Sequence, residues 1–154
     1  GHTLRDMTRS KGFKGKLVPF GKFGTIDLLQ NMRALCVHFI DPIKKQFPGI
    51  VISSGYRPYG YVPRGGANPS PHMTGGACDL VLSKKPTDAR AHQQLATWIA
   101  QNCPQADQII LESEGSTYWV HVGIAQPRNP GGAMRGQKFT MRDHNTYKRG
   151  VFAI

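Results

Sequence analysis

From Arg57 to Gly76 the chain is dense in proline and glycine and shows no hydrophobic period, so neither a helix nor a long strand can run through its middle. A stretch of that length inside a folded chain is expected to be a functional loop, and the fold must be assembled from shorter elements on either side of it. Upstream, Leu28, Met32, Leu35, Cys36, Phe39, Ile43 and Phe47 recur at three- and four-residue spacing, which is one face of an amphipathic helix. Thr25 is the expected N-cap, Pro48 with Gly49 the stop, and Pro42 predicts a kink or a break. The β-branched run from Gly49 to Tyr56 predicts a strand.

Downstream, Asp79 to Leu82 predicts another short strand. Thr87 is placed to cap a helix from Asp88 to about Asn102, with Ala91, Leu95, Ala96, Ile99 and Ala100 inward. Gln108 to Leu111 and Trp119 to Ile124 predict two strands joined by a polar turn, a hairpin. At 154 residues, with no repeat and no linker, the chain is one domain. The expected class is α+β: a small, mostly antiparallel sheet with helices packed on it, over residues 25–154. Residues 1–24, carrying Arg5, Arg9, Lys11, Lys14, Lys16 and Lys22 among glycines, are expected to form a basic N-terminal extension.

Charge narrows the partners. Twenty Lys and Arg against nine Asp and Glu give a net charge of +11, while 39% hydrophobic residues argue against wholesale disorder. Polyanions are the default partners of such a surface: nucleic acid, an anionic membrane face or an acidic cell wall. No apolar run approaches the ~20 residues of a membrane-spanning helix, and the start of the chain, Gly-His rather than Met, lacks a signal peptide's apolar core, as expected of a processed or excised chain. Cys36, Cys78 and Cys103 are odd in number and form no CxxC pair, so buried free thiols are expected rather than a disulfide scaffold. An isolated domain of this kind is expected to be a monomer.

The chemistry concentrates in Ser70-Pro-His-Met-Thr-Gly-Gly-Ala-Cys-Asp79. It sets an imidazole seven residues before a carboxylate, across two glycines that let the backbone turn tightly. Zinc takes imidazole nitrogen and carboxylate oxygen, and a catalytic site typically has three protein ligands. The third candidate is His121, which as a strand residue shares a face with Trp119 and Gly123, opposite Val120 and Val122.

The pattern Ser-x-His-x-x-Gly-x-Ala-x-Asp, filled by Ser70, His72, Gly75, Ala77 and Asp79 and followed about forty residues later by Trp-Val-His, resembles the zinc D-Ala-D-Ala metallopeptidases of the M15 group. These include D,D-carboxypeptidases, dipeptidases and endopeptidases of phage lysins, and the hedgehog signalling domain shares their fold. Ser54-Gly55-Tyr56-Arg57 resembles the family's strand-end Tyr-Arg, and Asp107 to Glu112 its strand before the last ligand; the resemblance spans roughly Leu28 to Ile124. It implies one Zn2+ per chain on His72, Asp79 and His121, with substrate contacts from Arg57 and Ser70. It also implies peptide stems of bacterial peptidoglycan as substrate and action in the periplasm or cell wall, as a phage virion protein or released lysin.

Zinc chemistry of this type lowers the pKa of a coordinated water toward ~7 and needs a nearby carboxylate to accept the proton and pass it to the leaving amine. Glu112 and Glu114 lie just upstream of His121, at the end of the preceding strand and in the turn, and alternation in an extended segment gives both the same face; Glu112 is favoured because the resembling strand ends there. In the family the catalytic Glu stands three residues before the last His, where this chain has Tyr118. Arg57 offers a planar donor fork for a carboxylate or developing oxyanion, Ser70 is either a substrate contact or a turn residue bonding its own backbone, and Trp119 lines the cleft or joins the core. Cys78 opposes Asp79 in parity and reads as a buried small residue. His2, His38, His92 and His144 carry no patterned neighbours, with His92 placed on a helix surface.

Two other functions compete. A catalytically silent zinc-containing binding domain of the same fold would keep the metal without the reaction. A nucleic-acid-binding domain is prompted by the charge, but the basic residues are scattered and no zinc-finger spacing accompanies them.

Overall fold

The computed structural model describes residues 4–10, 13–14, 17–19, 24–58, 70–124, 136–143 and 147–150. A one-turn helix α1 (Leu4–Met7) and an antiparallel pair, β1 (Arg9–Ser10) and β2 (Phe13–Lys14), precede α2 (Thr25–Leu35). This helix runs through a π-helical turn (Cys36–Ile40) into α3 (Asp41–Gln46). There follow β3 (Ile50–Ser54), a 3-10 turn (Pro71–Thr74), β4 (Ala77–Leu82), α4 (Ala89–Asn102), β5 (Ala106–Glu114), β6 (Thr117–Ile124), β7 (Gln137–Arg142) and β8 (Lys148–Arg149). The class is α+β, with an open six-stranded sheet in the order β3-β4-β6-β5-β7-β8, antiparallel throughout except between β5 and β7.

The break expected at Pro42 takes the form of the π turn. Asp41 N–H bonds the Cys36 carbonyl five residues back, and Pro42 follows in the first turn of α3, where a missing N–H leaves nothing unmade. The His38 carbonyl, four residues before Pro42, instead accepts from the side-chain amide of Gln105 at 3.0 Å. Both long helices are capped one residue from the expected place. Gly24, not Thr25, precedes α2, its N–H held by Asp27 Oδ2 at 2.7 Å, and Asp88, not Thr87, caps α4 by accepting from Ala91 N–H at 2.9 Å.

Strand parity divides the sheet into two unlike faces. Leu80, Cys78, Val120, Val122, Ile109 and Leu111 point to the helices and form the core with Leu28, Met32, Leu35, Leu95 and Ile99. Each large aliphatic side chain so buried contributes about 1.5–3 kcal/mol. Asp79, His121, Trp119, Gln108 and Glu112 alternate with them on the opposite face. The strands β7 and β8 come from the C-terminal part of the chain, and β7 extends this second face.

Part of the basic N-terminal stretch is packed into the domain. Met7 and Thr8 are buried, the Met7 carbonyl accepts from Tyr56 N–H at 2.7 Å, and the Tyr56 hydroxyl bonds the Val18 carbonyl at 2.9 Å. The approach to Gly55 is so close that a β-carbon there would lie 2.0 Å from the Met7 oxygen. Cys78 and Cys103 are buried and all three cysteines are free thiols. Among the described residues no helix is long and apolar enough to cross a membrane.

Candidate metal centre

The turn after the central loop delivers the first histidine. Ser70 caps it, its hydroxyl accepting from His72 N–H at 3.3 Å, which is the turn role weighed for this residue. Gly75 ends it at φ 72°, and a β-carbon there would lie 2.7 Å from the Leu28 carbonyl of α2, so both backbone conformation and space require glycine. Asn31 of α2 ties the turn down by donating to the Thr74 carbonyl at 2.7 Å. Asp79 on β4 and His121 on β6 are direct cross-strand partners on the open face. Residues 59–69 of the central loop lie outside the described ones.

His72, Asp79 and His121 converge to form a group able to hold a metal ion. His72 Nε2 is 3.1 Å from His121 Nδ1 and 3.3 Å from Asp79 Oδ1, and His121 Nδ1 is 3.0 Å from the same oxygen. The remaining ring nitrogens say where the protons are. His72 Nδ1 lies 2.7 Å from the Gly55 carbonyl, which can only accept, and His121 Nε2 lies 3.1 Å from Gln108 Oε1. In the neutral tautomers these acceptors select, each ring N–H is directed outward and the other ring nitrogen faces the Asp79 carboxylate. Two imidazole nitrogens and a carboxylate oxygen are donors of the kind divalent metal ions take.

Electrostatics favour the ligating form of His72 and Asp79. Burial holds the His72 pKa below its ordinary value, favouring the neutral ring. Burial alone would raise Asp79, but the two histidines beside it outweigh that and hold the carboxyl well below the usual carboxylate range.

Glu112 stands beside this group. It pairs with Trp119 across the β5–β6 ladder, one step diagonal to His121, and Trp119 Nε1–H donates to Glu112 Oε2 at 3.0 Å. Burial first and the negative charge of Asp79 second push its pKa up to about 7, against smaller opposing effects of His121, Trp119 and Arg57. That is where a general base works best near neutrality. Glu114 shares the parity but is exposed. Tyr118 has the opposite parity and turns its ring to His92, centroids 6.2 Å apart, so position 118 is on the wrong side of the strand to serve the site.

Arg57 follows β3 and donates its backbone N–H to the His72 carbonyl at 3.2 Å. Its positive charge depresses the pKa of both His72 and Glu112, and its buried Nε has no hydrogen-bond partner among the described residues. A buried, unpaired guanidinium N–H beside the cluster is a ready donor to a carboxylate or oxyanion.

Two residues of this face carried no sequence signal. Gln108 was read only as a strand residue. Tyr147 packs on Phe139, ring centroids 5.6 Å apart, and its phenol pKa is raised by burial and then by the charges of Glu112 and Asp79, which places it at the edge of the site. The expectation of a surface position for His92 is overturned. It is fully buried, donating from Nδ1 to the Asp88 carbonyl at 2.9 Å and accepting the Leu82 N–H at Nε2, 3.2 Å away. His38 is exposed, and His2 and His144 lie outside the described residues. Compared with protein-family models, with curated proteins and with solved structures, the chain finds no match.

Proposed function

We propose that the protein is a zinc-dependent peptidase of the D-Ala-D-Ala metallopeptidase type, with the hedgehog-like fold of that group, acting on peptide bonds of bacterial peptidoglycan. One observation carries the reading: two histidine nitrogens and a carboxylate oxygen converge beside a carboxylate whose pKa is raised to about 7. The edges of the ligand triangle, 3.0, 3.1 and 3.3 Å, suit zinc, since neighbouring ligands of a tetrahedral ion with bonds near 2.0–2.1 Å stand about 3.3 Å apart. His72 and His121 with one carboxylate match its borderline-soft preference for nitrogen with oxygen.

Bound there, zinc supplies Lewis acidity that activates water and polarises a carbonyl. The chain's own residues do the rest. Glu112 in its ionised form takes one proton from the attacking water as the oxygen bonds the scissile carbonyl carbon, then gives it to the departing nitrogen as the C–N bond breaks. The Trp119 N–H fixes the carboxylate for both transfers. Arg57 binds the negative charge, whether a substrate carboxylate or the developing oxyanion. Ser70, fixed as a cap on the turn, holds His72 in place. Peptide stems of peptidoglycan are acidic, and the net charge of +11 favours retention on an anionic wall. The periplasm or cell wall is the corresponding place of action, reached as a phage virion protein or a released lysin.

Digestion of purified peptidoglycan followed by mass spectrometry of the released muropeptides tests the proposal. The zinc-loaded wild type should expose new amine termini, and their identity names the bond. Glu112→Gln should retain about one zinc per chain while losing turnover by roughly 10²–10⁴-fold. A zinc-loaded wild type that releases nothing overturns the peptidase reading in favour of a zinc-containing binding domain.

A further inference from the structure

We propose that Gln108 is a positioning residue for the metal ligand His121, and that Gln137 on β7 holds Gln108 in that role. The inference rests on the metal site of the preceding reading and extends it to the residues that decide which His121 nitrogen faces the ion.

A neutral imidazole carries its proton on either nitrogen, and only one of the two forms can ligate through Nδ1. Gln108 Oε1, 3.1 Å from His121 Nε2, selects the form with the proton on Nε2 and turns the Nδ1 lone pair toward His72 and Asp79. An amide can flip and present its NH2 instead, which would select the wrong form. Gln137 opposes that flip: Gln108 Nε2 donates to Gln137 Oε1 at 3.1 Å, and the two residues are direct partners in the parallel β5–β7 ladder.

Two further features of the backbone converge on this contact. The β5–β6 register shifts between Ala106 and Gln108, and a bulge of this kind re-aims the side chain that follows it. Gln108 then pairs with Gly123, which has no side chain to occupy the space between them. A β-carbon at position 123 would lie 3.6 Å from Gln108 Cβ and 3.7 Å from His121 Nε2, so any larger side chain would grow into the gap the hydrogen bond crosses. The bulge, the glycine and the second amide thus serve one hydrogen bond.

The test combines zinc affinity, by competition with a chromophoric chelator, with nitrogen-15 NMR of the His121 ring in the metal-free protein. The wild type should show the proton on Nε2. Gln108→Leu should weaken zinc binding 10–100-fold, with His121 distributed between both proton positions. Gln108→Glu, which keeps an acceptor, should restore affinity to within a few-fold of wild type, a rescue that a purely structural role would not produce. Gln137→Leu should give a smaller loss in the same direction. A proton on Nδ1 in the metal-free wild type, a Gln108→Leu affinity within threefold of wild type, or no rescue by glutamate overturns the proposal. Should Gln108→Leu fail to fold, the wild-type ring spectrum and Gln137→Leu decide the matter. Muropeptide release measured on the same samples separates the two readings. Affinity loss without any cleavage by the wild type removes only the peptidase, unchanged affinity with cleavage removes only the positioning role, and a wild type that takes up no zinc removes both.

Discussion

On the helix side of the sheet, His92 lies between α4 and the end of β4 with both ring nitrogens engaged by backbone, one donating to Asp88 and one accepting from Leu82. On the open face, His72 and His121 each turn one nitrogen to an acceptor, Gly55 or Gln108, and leave the other aimed at Asp79. All three rings are buried. Burial and a low exposure therefore say nothing by themselves about function; what separates structural from ligating histidine is whether the second lone pair already has a proton to accept. His92 does. The other two have only each other and a carboxylate, an arrangement able to hold a metal ion.

The largest test of this contrast is the pair His121→Ala and His92→Ala. The first should drop zinc content from about one per chain toward zero, an affinity loss well beyond the roughly 10–100-fold that removal of an outer hydrogen-bond partner costs. The second should leave zinc content unchanged while lowering stability, read by elemental analysis and thermal unfolding on the same samples. Equal zinc loss in both would erase the distinction.

A smaller effect belongs to Trp119→Phe, which removes the N–H from Glu112 without emptying the space. That hydrogen bond lowers the Glu112 pKa, so its loss moves the pKa further up. A general base acts when ionised, so the acid limb of the rate profile should shift to higher pH, with a loss of roughly three- to tenfold below neutrality and recovery on the alkaline side. An unshifted limb would detach Trp119 from the base.

Smallest is the pH response of His92→Gln. Burial holds the His92 pKa below the ordinary value, so the unfolded chain binds this proton more readily than the folded one. The stabilisation is complete above about pH 6.5 and is lost as pH falls from there toward the folded pKa. The wild type should lead the variant by about 1 kcal/mol near neutrality, and urea midpoints should converge as the pH is lowered below about 6.5; His72, present in both chains, cancels in the difference. A constant gap across that range would remove His92 from the titration.

Much of the open face was legible because its logic is local. His72, Gly75 and Asp79 sit within one turn and one strand, His121 and Trp119 declare their face by alternation, and Glu112 shares parity with the hairpin partner of His121. The parity argument stopped at Glu112 and Glu114, and exposure separated them. What escaped is what depends on distant pairing. Gln108 and Tyr147 acquire meaning only once β7 lies parallel on β5 and β8 folds back, and neither step leaves a periodic trace in the tail. His92 looked peripheral because its acceptors and donors are backbone groups, which no residue pattern announces. Pro42 announced a break, while its remedy, an amide from Gln105 far along the chain, did not.

The contact between Met7 and Gly55 has a practical side. Gly55 presents its carbonyl to His72 Nδ1 while the Met7 carbonyl presses against its α-carbon and takes the neighbouring Tyr56 N–H. Removal of the chain through Thr8 would take away α1 and the carbonyl that holds Tyr56 N–H, and with them the brace behind His72, while the six-stranded sheet and the long helices keep their own contacts. If the proposed zinc site holds, metal content would then report on whether the Met7 contact is intact.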